Sequence, residues 1–243
     1  MAGALSVMTA MGGGSIITDG LQLWLDPALA ASYPGSGTSA YDLSPNHYTV
    51  TLVNGVTYST TPGSFGFNGA TNYRYIDTGQ SLSSETFTLS SWFKSSTTAL
   101  YQMLFSKETT AGVPWNYRLW LNQTTGYVTG DIAKTGPNSK GISNLTNLCD
   151  GVWHNVVFTR SVALDRLDLY VDGSLSTSAT DTTTGAMVNS QNVWIGLSAY
   201  TGSSPTGSYP VNGQIGQSLI YNTALTATQV LANFNAMRGV YGV

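Results

Sequence analysis

Asp150-Gly151-Val152-Trp153-His154-Asn155-Val156-Val157-Phe158-Thr159-Arg160, followed by Leu167-Asp168-Leu169-Tyr170-Val171-Asp172-Gly173, is the stretch whose reading decides the fold. It opens in a turn and continues as a strand rich in β-branched and aromatic residues. A connection near Asp165 leads to a second strand, which closes on an Asp-Gly turn. In that second strand Leu167, Leu169 and Val171 fall on one face and Asp168, Tyr170 and Asp172 on the other. The pattern predicts a half-buried antiparallel pair, the building unit of a β-sandwich.

This stretch resembles the laminin-G-like, or concanavalin A-like, jelly-roll domains. Their most recognisable segment reads Asp-Gly-x-Trp-His, a short strand, then Leu-Tyr-Val-Asp-Gly. The resemblance implies a two-sheet sandwich and leaves function open, because lectins, adhesins, glycanases and structural proteins share that fold.

Working outward, short alternating segments recur between Gly, Asn and Pro turns. Before the decisive stretch they are Gly20–Asp26, Thr49–Thr57, Ser64–Gly69, Tyr73–Asp77, Thr86–Lys94, Leu100–Ser106, Tyr117–Asn122 and Tyr127–Ile132; after it come Asn192–Leu197 and Val211–Asn222. Asn54-Gly55 is the strongest local hairpin signal, and Thr125-Gly126 is expected to close a second hairpin. In Thr86–Lys94, Phe87, Leu89, Ser91 and Phe93 share a side. One short helix is predicted near the C-terminus. Thr226 and Gln229 form a capping box, Val230, Leu231, Phe234 and Met237 line one face, and Gly239 is the expected C-cap. The fold class is therefore all-β, an antiparallel two-sheet jelly-roll sandwich with one C-terminal helix.

Further motifs resemble a subgroup of the same family common among bacteriophage structural proteins: Ser32-Tyr33-Pro34-Gly35-Ser36-Gly37-Thr38, the Asp42-Leu43-Ser44 element, Gly213-Gln214-Ile215, and Ile220-Tyr221-Asn222-Thr223-Ala224-Leu225. The resemblance covers about Gly20 to Gly242. Residues 18–243 are read as a single domain and residues 1–17 as an N-terminal arm, apolar but without a basic start and interrupted by Gly12-Gly13-Gly14.

Of the 243 residues 42% are hydrophobic, so a sizeable core is available, whereas only 9% are charged, well below the roughly 25% of an average soluble domain. A net charge of −3, with four lysines and five arginines scattered singly, gives no basic stripe for nucleic acid and no polybasic patch for anionic lipid. No apolar run reaches the length of a membrane span. A single cysteine, Cys149, allows no intrachain disulfide and is read as a small buried hydrophobe. The chain is thus suited to assembly in a reducing cytoplasm.

A glycan hydrolase of this fold needs two carboxyls about 5–9.5 Å apart. The chain has two glutamates, Glu85 and Glu108, and neither has an acidic neighbour at i±2. Asp168 and Asp172 share a face at about 13 Å. No Gly-x-Ser-x-Gly elbow or P-loop occurs, and two histidines with one cysteine do not make an ordinary zinc site. His154 is expected to satisfy a backbone group at the sheet end. A non-enzymatic role follows.

The resemblance implies that calcium could sit at the sandwich rim, with Asp26, Asp42 and Asp77 as candidate ligands; a turn-capping role is the competing reading of each. Carbohydrate binding needs exposed aromatic faces beside polar groups. Trp115, Tyr117, Tyr200 and Tyr209 are the candidates, while Trp120 is expected to be half-buried. The sequons at Asn122 and Asn144 carry no weight in so Thr-rich a chain.

The motifs, the low charge and the Gly-rich arm together point to a virion structural protein of a bacteriophage. It would be a capsid decoration or a tail or fibre module, displayed on the particle surface and assembled in the host cytoplasm. Its arm would attach it to other virion proteins and copies of itself, and its rim could grip host surface glycans. The alternative is a free carbohydrate-binding lectin or adhesin.

Overall fold

The computed structural model describes residues 15–70, 73–109, 115–134, 138–183, 187, 189–198 and 209–243. In chain order the strands are β1 (Leu21–Leu25), β2 (Ser39–Tyr41), β3 (Thr49–Val53), β4 (Thr57–Thr60), β5 (Gly63–Asn68), β6 (Tyr75–Asp77), β7 (Phe87–Lys94) and β8 (Gln102–Glu108). They continue as β9 (Trp115–Leu121), β10 (Val128–Ala133), β11 (Ser139–Ser143), β12 (His154–Ser161), β13 (Arg166–Val171), β14 (Ser174–Thr180), β15 (Trp194–Ile195) and β16 (Asn212–Tyr221). One helix follows, α1 (Ala227–Tyr241).

The strands form two eight-stranded antiparallel sheets. The first runs β14-β13-β12-β7-β16-β5-β4, with β1 also on β16; the second runs β11-β10-β9-β8-β15-β6-β3-β2. Between them lies the main core, where Leu89, Phe93, Phe158, Leu167 and Leu169 of the first sheet meet Phe105, Leu119, Val128, Ile132 and Ile195 of the second. Between the sheets Gly130 leaves room for a ring: a Cβ there would stand 2.4 Å from Phe158. This is the expected all-β sandwich.

α1 covers the outer face of the first sheet. Trp24, Trp92, Trp153, Val157, Tyr170 and Leu219 point outward there and are buried by Val230, Phe234, Met237 and Tyr241. Trp92 stacks on Tyr241 at 4.3 Å and on Phe234 at 5.5 Å. The centre of the first sheet is therefore covered on both faces, which is why β7 is buried along nearly its whole length. Thr226 and Gln229 make the expected capping box. The helix nevertheless runs past Gly239 and is capped by Gly242 at φ 76°, because Tyr241 is held against Trp92 and Trp153. Leu231, expected on the apolar face, is 45% exposed.

Two boundaries differ from the sequence reading. Asn54 and Gly55 do adopt left-handed conformations, but the strands they join belong to different sheets. β3 pairs with β2 and β6, while β4 pairs with β5. Burial overrides the local hairpin preference, because Val50 and Leu52 are core residues of one layer and Phe65, beside β4, of the other. At the N-terminus, Ile16 is buried under α1, and Ile17 donates its amide to Asn233 and accepts from the Tyr221 hydroxyl. Residues 15–17, assigned to the arm, belong to the body; residues 1–14 lie outside the described residues.

The decisive stretch forms β12, β13 and the turns at its ends. Asp165 (φ 45°) and Asp172 (φ 48°) take left-handed conformations in those turns. His154 corrects the expectation that it satisfies a backbone group. Its Nδ1 meets the Asp172 carboxylate at 2.8 Å and its Nε2 meets Asp150 at 3.3 Å. The other Asp172 oxygen accepts the Asn155 amide. The two halves of the motif are thus one clasp closing a sheet corner. Burial opposes charge on the imidazole, but the bonds to Asp172 and then Asp150 outweigh it and hold its pKa above the ordinary value.

Candidate functional site

No helix covers the outer face of the second sheet among the described residues, and register fixes what that face shows. Across the strands, Asp131 of β10 lies opposite Arg118 of β9, Arg118 opposite Ser106 of β8, and Ser106 opposite Trp194 of β15. Trp194 in turn lies opposite Asp77 of β6, and Asp77 opposite Thr51 of β3. Their chain neighbours Leu119, Phe105, Ile195, Ile76 and Leu52 enter the core, so this row faces outward.

Arg118 is the hinge of the arrangement. Its guanidinium donates to both oxygens of Asp131 and, at 3.1 Å, to Glu108. Glu108 also accepts from the hydroxyls of Ser106 and Ser198. Desolvation works against the arginine's charge, but the two carboxylates outweigh it and raise its pKa further. The guanidinium carbon stands 3.8 Å from the centre of the Trp115 ring and 6.0 Å from that of Trp120. Tyr101 lies 5.4 Å from Trp120 and 5.1 Å, edge-on, from Tyr209. Tyr101, Met103, Arg118, Trp120 and Tyr209 enclose an open depression of about 190 Å³. Its aromatic walls and fixed polar floor suit a ring with one apolar face and hydroxyls at its edge.

The structure brings together some of the sequence candidates. Trp115 and Tyr209 belong to this neighbourhood, and Trp120 is half-buried as expected. Tyr117 is corrected: it points into the core with no exposed surface, donates its hydroxyl to the Leu82 carbonyl, and has no face for a sugar. Tyr200 lies outside the described residues. The sequence reading missed Tyr101, Met103, Glu108, Arg118 and Asp131. Glu108 does acquire an acidic companion, Asp131, but from another strand; only the β8-β9-β10 pairing order could have revealed it.

The candidate calcium ligands stay apart. Asp42 accepts from the amides of Trp24 and Ser44, the Ser44 hydroxyl and the Tyr48 amide. Asp26 is buried and accepts from the Ala28 amide and the Gln217 side chain. Asp77 accepts from the Gly79 amide and Asn192. Each carboxylate caps local backbone or binds an amide side chain. Among the described residues no three His, Cys, Asp or Glu side chains form a metal-sized group, and no helix is long and apolar enough to cross a membrane.

Residues 68–231 match the family model described as the concanavalin A-like lectin/glucanases superfamily, about two thirds of the chain. Three similar solved structures are of botulinum neurotoxins. One is of type C, whose cell entry is dependent upon interaction with two ganglioside molecules (12% identity, TM-score 0.67, 90% of this chain and 51% of that one). Another is the type G receptor-binding domain (16%, 0.65, 89% and 51%). The third is the binding domain of type DC in complex with rat synaptotagmin II (13%, 0.66, 91% and 52%). The chain thus spans about half the length of these structures, and at such identities the likeness is one of fold. No curated protein matches the sequence significantly.

Proposed function

The chain belongs to the concanavalin A-like lectin/glucanase superfamily, and from that premise we propose that it is a non-enzymatic glycan-binding domain whose binding surface is the depression around Arg118 on the outer face of the second sheet. The observation that carries this reading is the grouping of Trp115, Trp120, Tyr101 and Tyr209 around Arg118 on a sheet face that no helix covers among the described residues. Aromatic faces supply the stacking area and the Glu108–Arg118–Asp131 clasp supplies fixed polar partners. The likeness in fold to half of a structure of botulinum neurotoxin type C, whose cell entry depends on two ganglioside molecules, supports the ligand class.

The same clasp argues against hydrolysis. A glycosidase needs one carboxyl protonated at the moment of bond cleavage. Here both oxygens of Asp131 accept from Arg118 and Glu108 accepts from Arg118, Ser106 and Ser198, so neither acid turns a free oxygen toward a glycosidic bond, although burial raises the pKa of Asp131. An array of neutral and sialylated glycans followed by calorimetry tests the reading. Binding that Trp120→Ala weakens at least tenfold, with no release of reducing sugar, is expected; a blank array overturns it.

We further propose that the domain is worn on a bacteriophage particle, with residues 1–14 contacting other virion proteins and further copies of the chain. The phage-type motifs at Ser32–Thr38, Gly213–Ile215 and Ile220–Leu225 support this. Removing residues 1–14 is expected to abolish incorporation into particles while leaving the melting temperature unchanged. Undiminished incorporation refutes the tether, and absence of the chain from purified particles favours the free lectin.

A further inference from the structure

Resting on the reading above that residues 1–14 contact further copies of the chain, we propose that residues 5–11 of one copy add as a strand to the outer edge of β14 in the next copy. The two sheets end in β14 and β4 and in β11 and β2, and three of these edges are blunted. β2 is three residues long, β4 is four and is followed at once by Thr61-Pro62, and β11 carries Lys140 and Gly141 among its five. β1, off the main path, is covered by Asp42 and Leu43, which bond the Trp24 backbone. β14 is different. Its seven residues, Ser-Leu-Ser-Thr-Ser-Ala-Thr, hold no charge, proline or glycine, and no strand pairs with its far side among the described residues. Its one irregularity, opposite Leu169 and Tyr170, leaves Thr177–Thr180 in regular register. The charges behind it, Arg166 and Asp168 of β13, bond each other at 2.8 Å.

The start of this edge is apolar. Leu175 is 53% exposed and stands opposite Tyr170, on the face that α1 covers. Leu231 of α1 is exposed beside it, next to Gly173. Residues 5–11, Leu-Ser-Val-Met-Thr-Ala-Met, equal β14 in length and likewise lack charge, proline and glycine. Extended, they put Leu5, Val7 and Met11 on one face with Thr9, an apolar side for Leu175 and Leu231 to meet. Main-chain bonds along the edge supply the affinity and these side chains fix the register.

The donor is a second copy because the chain's own segment falls short. Ile17 is bonded to Tyr221 of β16, and register carries Tyr221 through Thr88, Thr159 and Asp168 to Ser178 of β14. A strand added beyond β14 lies five strand spacings from β16, about 24 Å. The five steps from Ile16 back to Met11 cover at most about 18 Å, and α1 occupies the face between.

The test uses no glycan, so its outcome is independent of the sugar reading. Sedimentation velocity of the full chain over a concentration series is paired with binding of a labelled peptide of residues 1–14 to the chain that lacks them. The full chain should self-associate, and the truncated chain should stay monomeric. The peptide should protect β14 amides from hydrogen exchange, and Leu175→Lys should weaken its binding at least tenfold. Leu164→Lys, equally exposed but at the Asp165 turn, should change nothing, and unchanged melting of both variants excludes misfolding. A full chain that is monomeric at every concentration overturns the exchange, and protection of its β14 amides that truncation abolishes would show its own segment on the edge. Association that survives truncation overturns residues 5–11 as donor. Association lost on truncation but untouched by Leu175→Lys overturns β14 as acceptor and leaves the tether standing.

Discussion

Replacing Asp172 by Asn removes one charge from the corner clasp and little else. Asn tolerates the left-handed φ of 48° and can still accept the Asn155 amide, which Asp172 now receives at 2.8 Å. What disappears is the ionic partner of His154 at 2.8 Å. Such charge-assisted bonds contribute about 1.5–3 kcal/mol. The Asp172 side chain is 34% exposed, and solvent screening trims the figure to about 1–2 kcal/mol, a fall of about 2–8 °C in Tm for a chain of this size. The loss should depend on pH. Because the folded His154 pKa is raised, its stabilisation is fully present below the unfolded value of about 6.5 and fades as pH rises through the folded value. Melting of both proteins by circular dichroism from pH 5.5 to 9 should show a gap that is widest at the acid end and shrinks by at least half. A gap constant across that range refutes the reasoning, because it would mean that the pair works by shape rather than charge.

Gly130→Ala places a Cβ 2.4 Å from the Phe158 ring and should cost about 1–3 kcal/mol by overpacking, read as a shifted urea midpoint with unchanged slope. Phe234→Ala removes the ring stacked on Trp92; it should cost about 3–5 kcal/mol and increase binding of a hydrophobic dye over the first sheet. Burial raises the phenol pKa of Tyr117 and Tyr221, so the folded state keeps protons that the unfolded chain loses above about pH 10. Stability should fall as pH rises past that point, with exposed tyrosines ionising first and the last part of the tyrosinate absorbance, from the buried phenols, appearing only with unfolding.

The sandwich was legible because its central strands carry alternation that burial demands: Leu167, Leu169 and Val171 face the core as read. The edges were not. β14 (Ser-Leu-Ser-Thr-Ser-Ala-Thr) is exposed along most of its length, so no hydrophobic pattern marks it, and β11 is similarly weak. Tyr170 looked solvent-facing by alternation, yet α1 covers it; a strand cannot announce what packs on its second face. The binding face was hidden for a different reason. Glu108, Arg118 and Asp131 are ordinary in sequence and become a unit only when β8, β9 and β10 align. Tyr117 misled because a tyrosine beside a tryptophan reads as exposed until the pleat assigns it inward.

The central claim is that glycan docks around Arg118 on the outer face of the second sheet. Amide hydrogen exchange of the full chain, with and without the array glycan that binds best, addresses it directly. Added protection should concentrate in β8 and β9 and leave α1 and β12–β14 unchanged. Protection confined to α1, to the β14 edge or to the Asp165 turn, with β8 and β9 unaltered, would contradict it.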